Sequence, residues 1–145
     1  MLIHLSRIQR LYRSDEVETT ALHDIELDIA QGEFLAIMGP SGCGKSTLLN
    51  ILGTIDRPTA GSYRFGDEEL TKLNETALAR FRRENLGYIF QSFNLIDELT
   101  IEENIELALI YRNIPKPERR QRVAQAMDRV DRKSTRLNSS PLGIS

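Results

Sequence analysis

Ile25, Leu27 and Ile29 alternate with Glu26 and Asp28, a period of two that predicts a strand with one face buried and one in water. The stretch before it, Leu2 to Tyr12, also reads as extended. After a break at Gln31-Gly32, Phe34-Leu35-Ala36-Ile37-Met38 runs apolar without alternation, the pattern of a parallel-type strand buried on both faces. Gly39 to Gly44 then turns the chain, and Leu48, Leu49, Ile51 and Leu52 predict a largely buried helix from Lys45 that stops at Gly53. Arg57 to Gly61 is a turn cluster, followed by a short strand at Ser62-Tyr63-Arg64-Phe65. Asn74 can cap a helix that turns Leu78 and Phe81 to one side, and Leu86 to Phe90 reads as another short strand. Thr100-Ile101-Glu102-Glu103 has capping-box spacing, which predicts a helix with Ile101, Ile105, Ala108 and Leu109 inward. Pro115 and Pro117 interrupt it. Val123, Ala126, Met127 and Val130 set the stripe of a last helix, and Arg119, Arg120 and Arg122 read as its solvated side.

The pattern stops at residue 130. Residues 131–145 carry four serines and no helical or strand period, so they are expected to be disordered. At 145 residues and 40% apolar composition, one domain with one core is expected. The 19 basic and 21 acidic residues nearly cancel, so no basic field argues for a nucleic-acid partner. A single cysteine, Cys43, excludes an internal disulfide and a Cys-rich zinc site, and fits a reducing compartment. No apolar run reaches the roughly 18 residues of a membrane span, so any membrane role is expected to run through a partner.

One octapeptide carries chemistry. Gly39-Pro40-Ser41-Gly42-Cys43-Gly44-Lys45-Ser46 fits G-x-x-x-x-G-K-[ST] and lies between an apolar run and a helix. By composition alone the pattern arises in about 0.5% of chains of this length, and the flanking elements make coincidence rarer still. Its glycines let successive N–H groups turn toward phosphate oxygens, and the helix N-terminus adds partial positive charge. Lys45 is expected to reach the β- and γ-phosphates, Ser46 to ligate Mg²⁺, and Thr47 to offer a second hydroxyl. Gly39, Ser41, Gly42, Cys43 and Gly44 complete the cradle. Cys43 fills a loop position, and no catalysis is expected of it.

That loop with Thr47-Leu48-Leu49, then Pro58-Thr59-Ala60-Gly61 and Gly87-Tyr88-Ile89-Phe90-Gln91, closely resembles the ATP-binding subunits of ABC transporters. Gly32-Glu33-Phe34, Asn50-Ile51-Leu52-Gly53, Asp56-Arg57-Pro58-Thr59 and Phe90-Gln91-Ser92-Phe93-Asn94-Leu95 are similar to the macrolide-export and lipoprotein-release group. The resemblance covers about residues 1–130. It implies an α/β P-loop NTPase fold, with a RecA-like core, an antiparallel β subdomain and the start of a helical subdomain, truncated at its C-terminal side. It implies that Tyr12 stacks on adenine and that Gln91 touches Mg²⁺ and the attacking water. It further implies ATP and Mg²⁺ as cofactors, a transmembrane permease and a second ATP-binding subunit as partners, and a place at the inner face of the cytoplasmic membrane.

Three of the family's motifs are missing from residues 1–145: the LSGGQ signature, the apolar run ending in Asp-Glu, and the switch histidine. Phe93-Asn94-Leu95-Ile96-Asp97-Glu98 imitates the second, but Asn94 breaks its apolar run and it follows Gln91 too soon. Asp97 and Glu98 are therefore expected in a loop before the Thr100 helix, without a catalytic role. His4 and His23 precede the P-loop and read as strand residues, and Arg82 and Arg83 as a solvated helix face. In place of the signature stands Arg132-Lys133-Ser134-Thr135-Arg136-Leu137-Asn138, which reads as sequence foreign to the gene. The chain alone is thus expected to be inactive. A P-loop kinase acting on a small metabolite is the alternative. An ABC-type protein acting on DNA or ribosomes is a third possibility, disfavoured by the near-neutral charge.

Overall fold

The computed structural model describes residues 1–14, 17–92 and 94–138, the last eight of these by backbone alone. The alternating segments form one antiparallel sheet. β1 (Ile3–Arg13) pairs with β2 (Glu18–Ile29) on one side and β3 (Ala60–Phe65) on the other, and β4 (Glu68–Glu69) extends β3, giving the order β2-β1-β3-β4. Leu5 stands between Leu27 and Tyr63, and Ile3 between Ile29 and Phe65, so the apolar positions of three strands share one face. The register slips between Leu5 and Ile8. Arg7 lies in that slip with a left-handed φ of 48°, and its N–H donates to the Glu26 carboxylate at 2.9 Å.

Against the apolar face pack α1 (Lys45–Leu52), a 3₁₀ turn at Leu70–Lys72 and α2 (Glu75–Asn85). Leu5, Ile8, Leu22, Leu48, Ile51, Tyr63, Leu70, Leu78 and Phe81 form the buried cluster, with Phe65 edge-on to Phe81 at 5.0 Å. Each such side chain removed from water contributes about 1.5–3 kcal/mol, which is why the sheet and its helices hold together as a unit. The side chain of Asn74 caps α2 by accepting from the Ala77 N–H at 2.9 Å, and Gly53 closes α1, both as the sequence predicts. His4 and His23 lie in β1 and β2.

The chain divides into two compact units, 1–88 and 89–145, where one domain with one core was expected. The second holds α3 (Ile101–Tyr111) and α4 (Lys116–Asn138). Thr100 and Glu103 form the expected capping box, and hydrogen bonds from Thr100 hold the Glu103 carboxyl below its usual pKa. Asp97 and Glu98 sit in the turn before it. The apolar stripes are less inward than predicted. Ile101 and Val130 are both exposed, Ala108 faces solvent, and Val123 alone among the described residues of this unit is buried. Two helices expose much of an apolar stripe unless a third element covers it.

Two predicted strands are absent among the described residues. Phe34 to Met38 is irregular, with Phe34 95% and Met38 87% exposed, and Leu86 to Phe90 forms no ladder either. A strand exists only through a neighbouring strand in the hydrogen-bonding direction, and among the described residues no strand pairs with either segment. Arg82 is not solvated: it donates to the Thr54 carbonyl at 2.6 Å. Arg119 is likewise tied down, to Glu106 at 2.7 Å and to the Ile114 carbonyl at 2.8 Å. α4 also runs on to Asn138, past the point where disorder was expected, through the helix formers Arg132, Lys133, Arg136 and Leu137. The expectation for residues 139–145 lies outside the described residues.

Candidate functional site

The P-loop ends on Gly44, the N-cap of α1, whose φ of 91° and ψ of 4° are left-handed. Among the described residues no side chain caps α1, and its first turn carries no acidic residue. The first-turn N–H groups of Lys45, Ser46 and Thr47 therefore stay available to an anion, where the helix dipole favours one. Lys45 Nζ folds back over the loop, donating to the carbonyls of Gly39 at 2.8 Å and Pro40 at 2.6 Å, with Cys43 Sγ at 3.6 Å. A cation held by two neutral carbonyls can exchange them for charged phosphate oxygens, so the donor set fits a polyphosphate. Ser46 is exposed beside it. The flanking apolar segment is present, but not as the strand that was expected.

Gly44 also brings the loop against the sheet. A Cβ there would lie 2.5 Å from the Ala21 carbonyl oxygen and 2.9 Å from Leu22 Cδ2, so only glycine allows the approach. Ala21 belongs to β2, and Thr19, two residues earlier, pairs with Tyr12 on β1. Close packing thus sets the cradle against β2, the strand that pairs with the Tyr12 strand.

Tyr12 is 41% exposed, and its hydroxyl donates to Asp56 Oδ2 at 2.8 Å. The Arg10 guanidinium carbon lies 4.5 Å from the centre of the Tyr12 ring, over one face. Arg10 meets Asp56 in a two-point ion pair, Nε to Oδ2 at 2.9 Å and its terminal nitrogen to Oδ1 at 2.8 Å. Burial works against the Arg10 charge, but Tyr12 and Asp56 outweigh it and raise its pKa. Arg10 and Asp56 carried no site assignment from sequence. The available signal was the i, i+2 spacing of Arg10 and Tyr12, which puts them on one face of a strand, with an aspartate in the following turn cluster.

Gln91 lies in the second unit, exposed at a bend after Phe90. Tyr12 and the P-loop residues belong to the first. Among the described residues no group of three or more His, Cys, Asp or Glu side chains could hold a metal.

A family model described as ABC transporter matches residues 22–145. An ABC transporter ATP-binding protein of Bacillus subtilis (strain 168), YvrO, is 43% identical over 144 residues, covering 99% of this chain and 62% of that protein. A macrolide export ATP-binding/permease protein, MacB, of Azoarcus sp. (strain BH72) is 48% identical over 126 residues, 87% of this chain and 19% of that one. The chain thus spans less than two thirds of either relative. A solved dimer of the ATP-binding cassette MJ0796, in a post-hydrolysis state bound to ADP and Pi, superposes with a TM-score of 0.81 at 39% identity, over 88% of this chain and 56% of that one. The fold is that of P-loop ATPase cassettes, and neither the family model nor these relatives support the kinase alternative. The chain belongs to the ABC transporter family, and it matches the N-terminal portion of that family's ATP-binding domain.

Proposed function

We propose that this chain is the N-terminal part of an energy-coupling ATPase subunit that binds Mg²⁺-ATP and drives export or lipoprotein release through a membrane permease. The observation that carries the reading is the uncapped N-terminus of α1 beneath the Lys45 ammonium, in a chain of this family. Gly39, Ser41, Gly42, Cys43 and Gly44 supply loop backbone to the phosphates. The N–H groups of Lys45, Ser46 and Thr47 hold the phosphate oxygens, Lys45 Nζ neutralises their charge, and Tyr12 presents a ring face to the adenine.

Bound Mg²⁺ would offset phosphate charge and orient the γ-phosphate for attack. Mg²⁺ keeps several waters and takes few protein ligands, which suits the Ser46 hydroxyl, and the family resemblance adds the Gln91 carboxamide as a ligand. Gln91 would orient the attacking water. Dimerisation with a second ATP-binding subunit is supported by the dimeric state of the MJ0796 cassette. A permease partner is supported by the ATP-binding/permease naming of the Azoarcus relative. Among the described residues no helix is long and apolar enough to cross a membrane. Attachment to the inner face of the cytoplasmic membrane would run through that permease.

The test is calorimetric titration of the 145-residue chain with Mg²⁺-ATP. Lys45→Ala removes a charge-assisted contact and should weaken binding about 10- to 100-fold. Equal affinity in the variant would refute the phosphate-cradle reading.

A further inference from the structure

We propose that Asp56 is a positioning residue for nucleotide binding: its carboxylate fixes the Tyr12 ring by the hydroxyl and clamps Arg10 across one ring face, leaving the other face to the base. The inference rests on the reading of Tyr12 as the base-stacking residue and adds what holds that ring.

Both Asp56 oxygens are fully used. Oδ2 accepts from Tyr12 OH at 2.8 Å and Arg10 Nε at 2.9 Å, while Oδ1 accepts from the Arg10 terminal nitrogen at 2.8 Å and the Arg57 N–H at 2.8 Å. The Arg10 and Asp56 side chains are each only 23% exposed, so the pair is better shielded than an ordinary surface ion pair. With its hydroxyl tied and one face covered at 4.5 Å, the Tyr12 ring loses most of its freedom about both side-chain torsions before any ligand arrives. Preorganisation of this kind lowers the ordering cost that binding would otherwise carry.

The carboxylate is itself anchored to the helix that builds the phosphate cradle. The Ile55 and Asp56 N–H groups both donate to the Asn50 carbonyl in α1, at 2.8 and 3.2 Å. On the strand side, the Leu11 N–H donates to Thr59 Oγ1 at 3.0 Å, and the Thr59 N–H to the Gln9 carbonyl at 2.7 Å. The strand bearing Arg10 and Tyr12 is thereby bound to the segment bearing Asp56. One short helix then connects the two ends of the nucleotide site, its N-terminus facing phosphate and its C-terminal extension holding the aromatic ring.

The experiment measures affinities of the 145-residue chain for ATP and for inorganic tripolyphosphate, which shares the phosphates and lacks the base. Asp56→Ala should weaken ATP about two- to tenfold and leave tripolyphosphate unchanged. Tyr12→Phe keeps the ring and cuts only its tie, so it should weaken ATP by less, and add nothing in the Asp56→Ala background. Tyr12→Ala should cost about 5- to 100-fold for ATP alone. If Tyr12→Ala leaves ATP affinity intact, the stacking reading fails and the proposal with it. If Tyr12→Ala weakens ATP while Asp56→Ala and Tyr12→Phe do not, only the positioning role is overturned. Equal losses for ATP and tripolyphosphate on Asp56→Ala would overturn it too, as a general structural effect. Should Asp56→Ala fail to fold, Tyr12→Phe and Arg10→Gln carry the same comparison.

Discussion

Gly42 and Gly44 lie two residues apart in the phosphate loop with nearly the same left-handed backbone, φ 82° and φ 91°, yet alanine should be tolerated at one and not at the other. The strain of a Cβ in that conformation is common to both and costs about 1–2 kcal/mol. At Gly42 no atom of the described residues lies within 4 Å of an added Cβ, so that strain is the whole cost. At Gly44 the added Cβ would stand 2.5 Å from the Ala21 carbonyl oxygen and 2.9 Å from Leu22 Cδ2. Relaxing these to ordinary contact takes a shift of roughly 1 Å. Neither neighbour can easily supply it, because Leu22 is 5% exposed in the core and pairs with Arg10 across the sheet. Gly44→Ala should therefore lower stability by about 3 kcal/mol or more, against about 1–2 for Gly42→Ala. Urea unfolding followed by far-ultraviolet circular dichroism reads both values, and tripolyphosphate titration shows whether the loop has moved off β2. Losses that agree within about 0.5 kcal/mol would refute the claim that the loop is packed against Ala21, since surface strain alone would then account for both.

Burial pushes the Tyr63 phenol from its ordinary 10.0 up to about 12, so the folded chain keeps a proton there that the unfolded chain releases earlier. That contribution is whole below about pH 10 and is lost as pH rises toward 12, on the order of 2–3 kcal/mol. Tyr63→Phe should flatten this window in urea titrations, and cost about 1 kcal/mol at neutral pH through the lost bond to the Leu52 carbonyl at 2.8 Å. Thr100→Ala removes the cap of α3 and should lower the stability of the second unit by about 1 kcal/mol, read as faster amide exchange in 101–111. The 145-residue chain should release no phosphate from Mg²⁺-ATP above background, a result that measurable turnover abolished by Lys45→Ala would overturn. The exposed Phe34 and Met38 should make the chain self-associate in sedimentation runs, and Phe34→Ser with Met38→Ser should reduce this with under about 0.5 kcal/mol change in stability, because both side chains are already in water.

Features that depend on a few neighbouring residues can be read directly from the amino-acid order. The P-loop at Gly39 to Ser46, the alternation at Ile25 to Ile29, the Asn74 cap and the Thr100-Glu103 box each encode their geometry within about one turn or one strand, so they were legible without a fold. The resemblance to ABC ATP-binding subunits was carried by the same short words. The remaining features involve partners far along the chain. Phe34 to Met38 has the composition of a buried strand, but its own residues cannot supply the neighbouring ladders that would make it one. Arg82 and Arg119 look solvated by helical spacing, and only folding sets them against Thr54 and Glu106. Arg10, Tyr12 and Asp56 meet across 44 to 46 residues, because the β1 register and the end of α1 bring a turn carboxylate beneath a strand's aromatic ring. A carboxylate declares no partner in its local sequence, since the energy that selects one exists only once both groups share a partly shielded site.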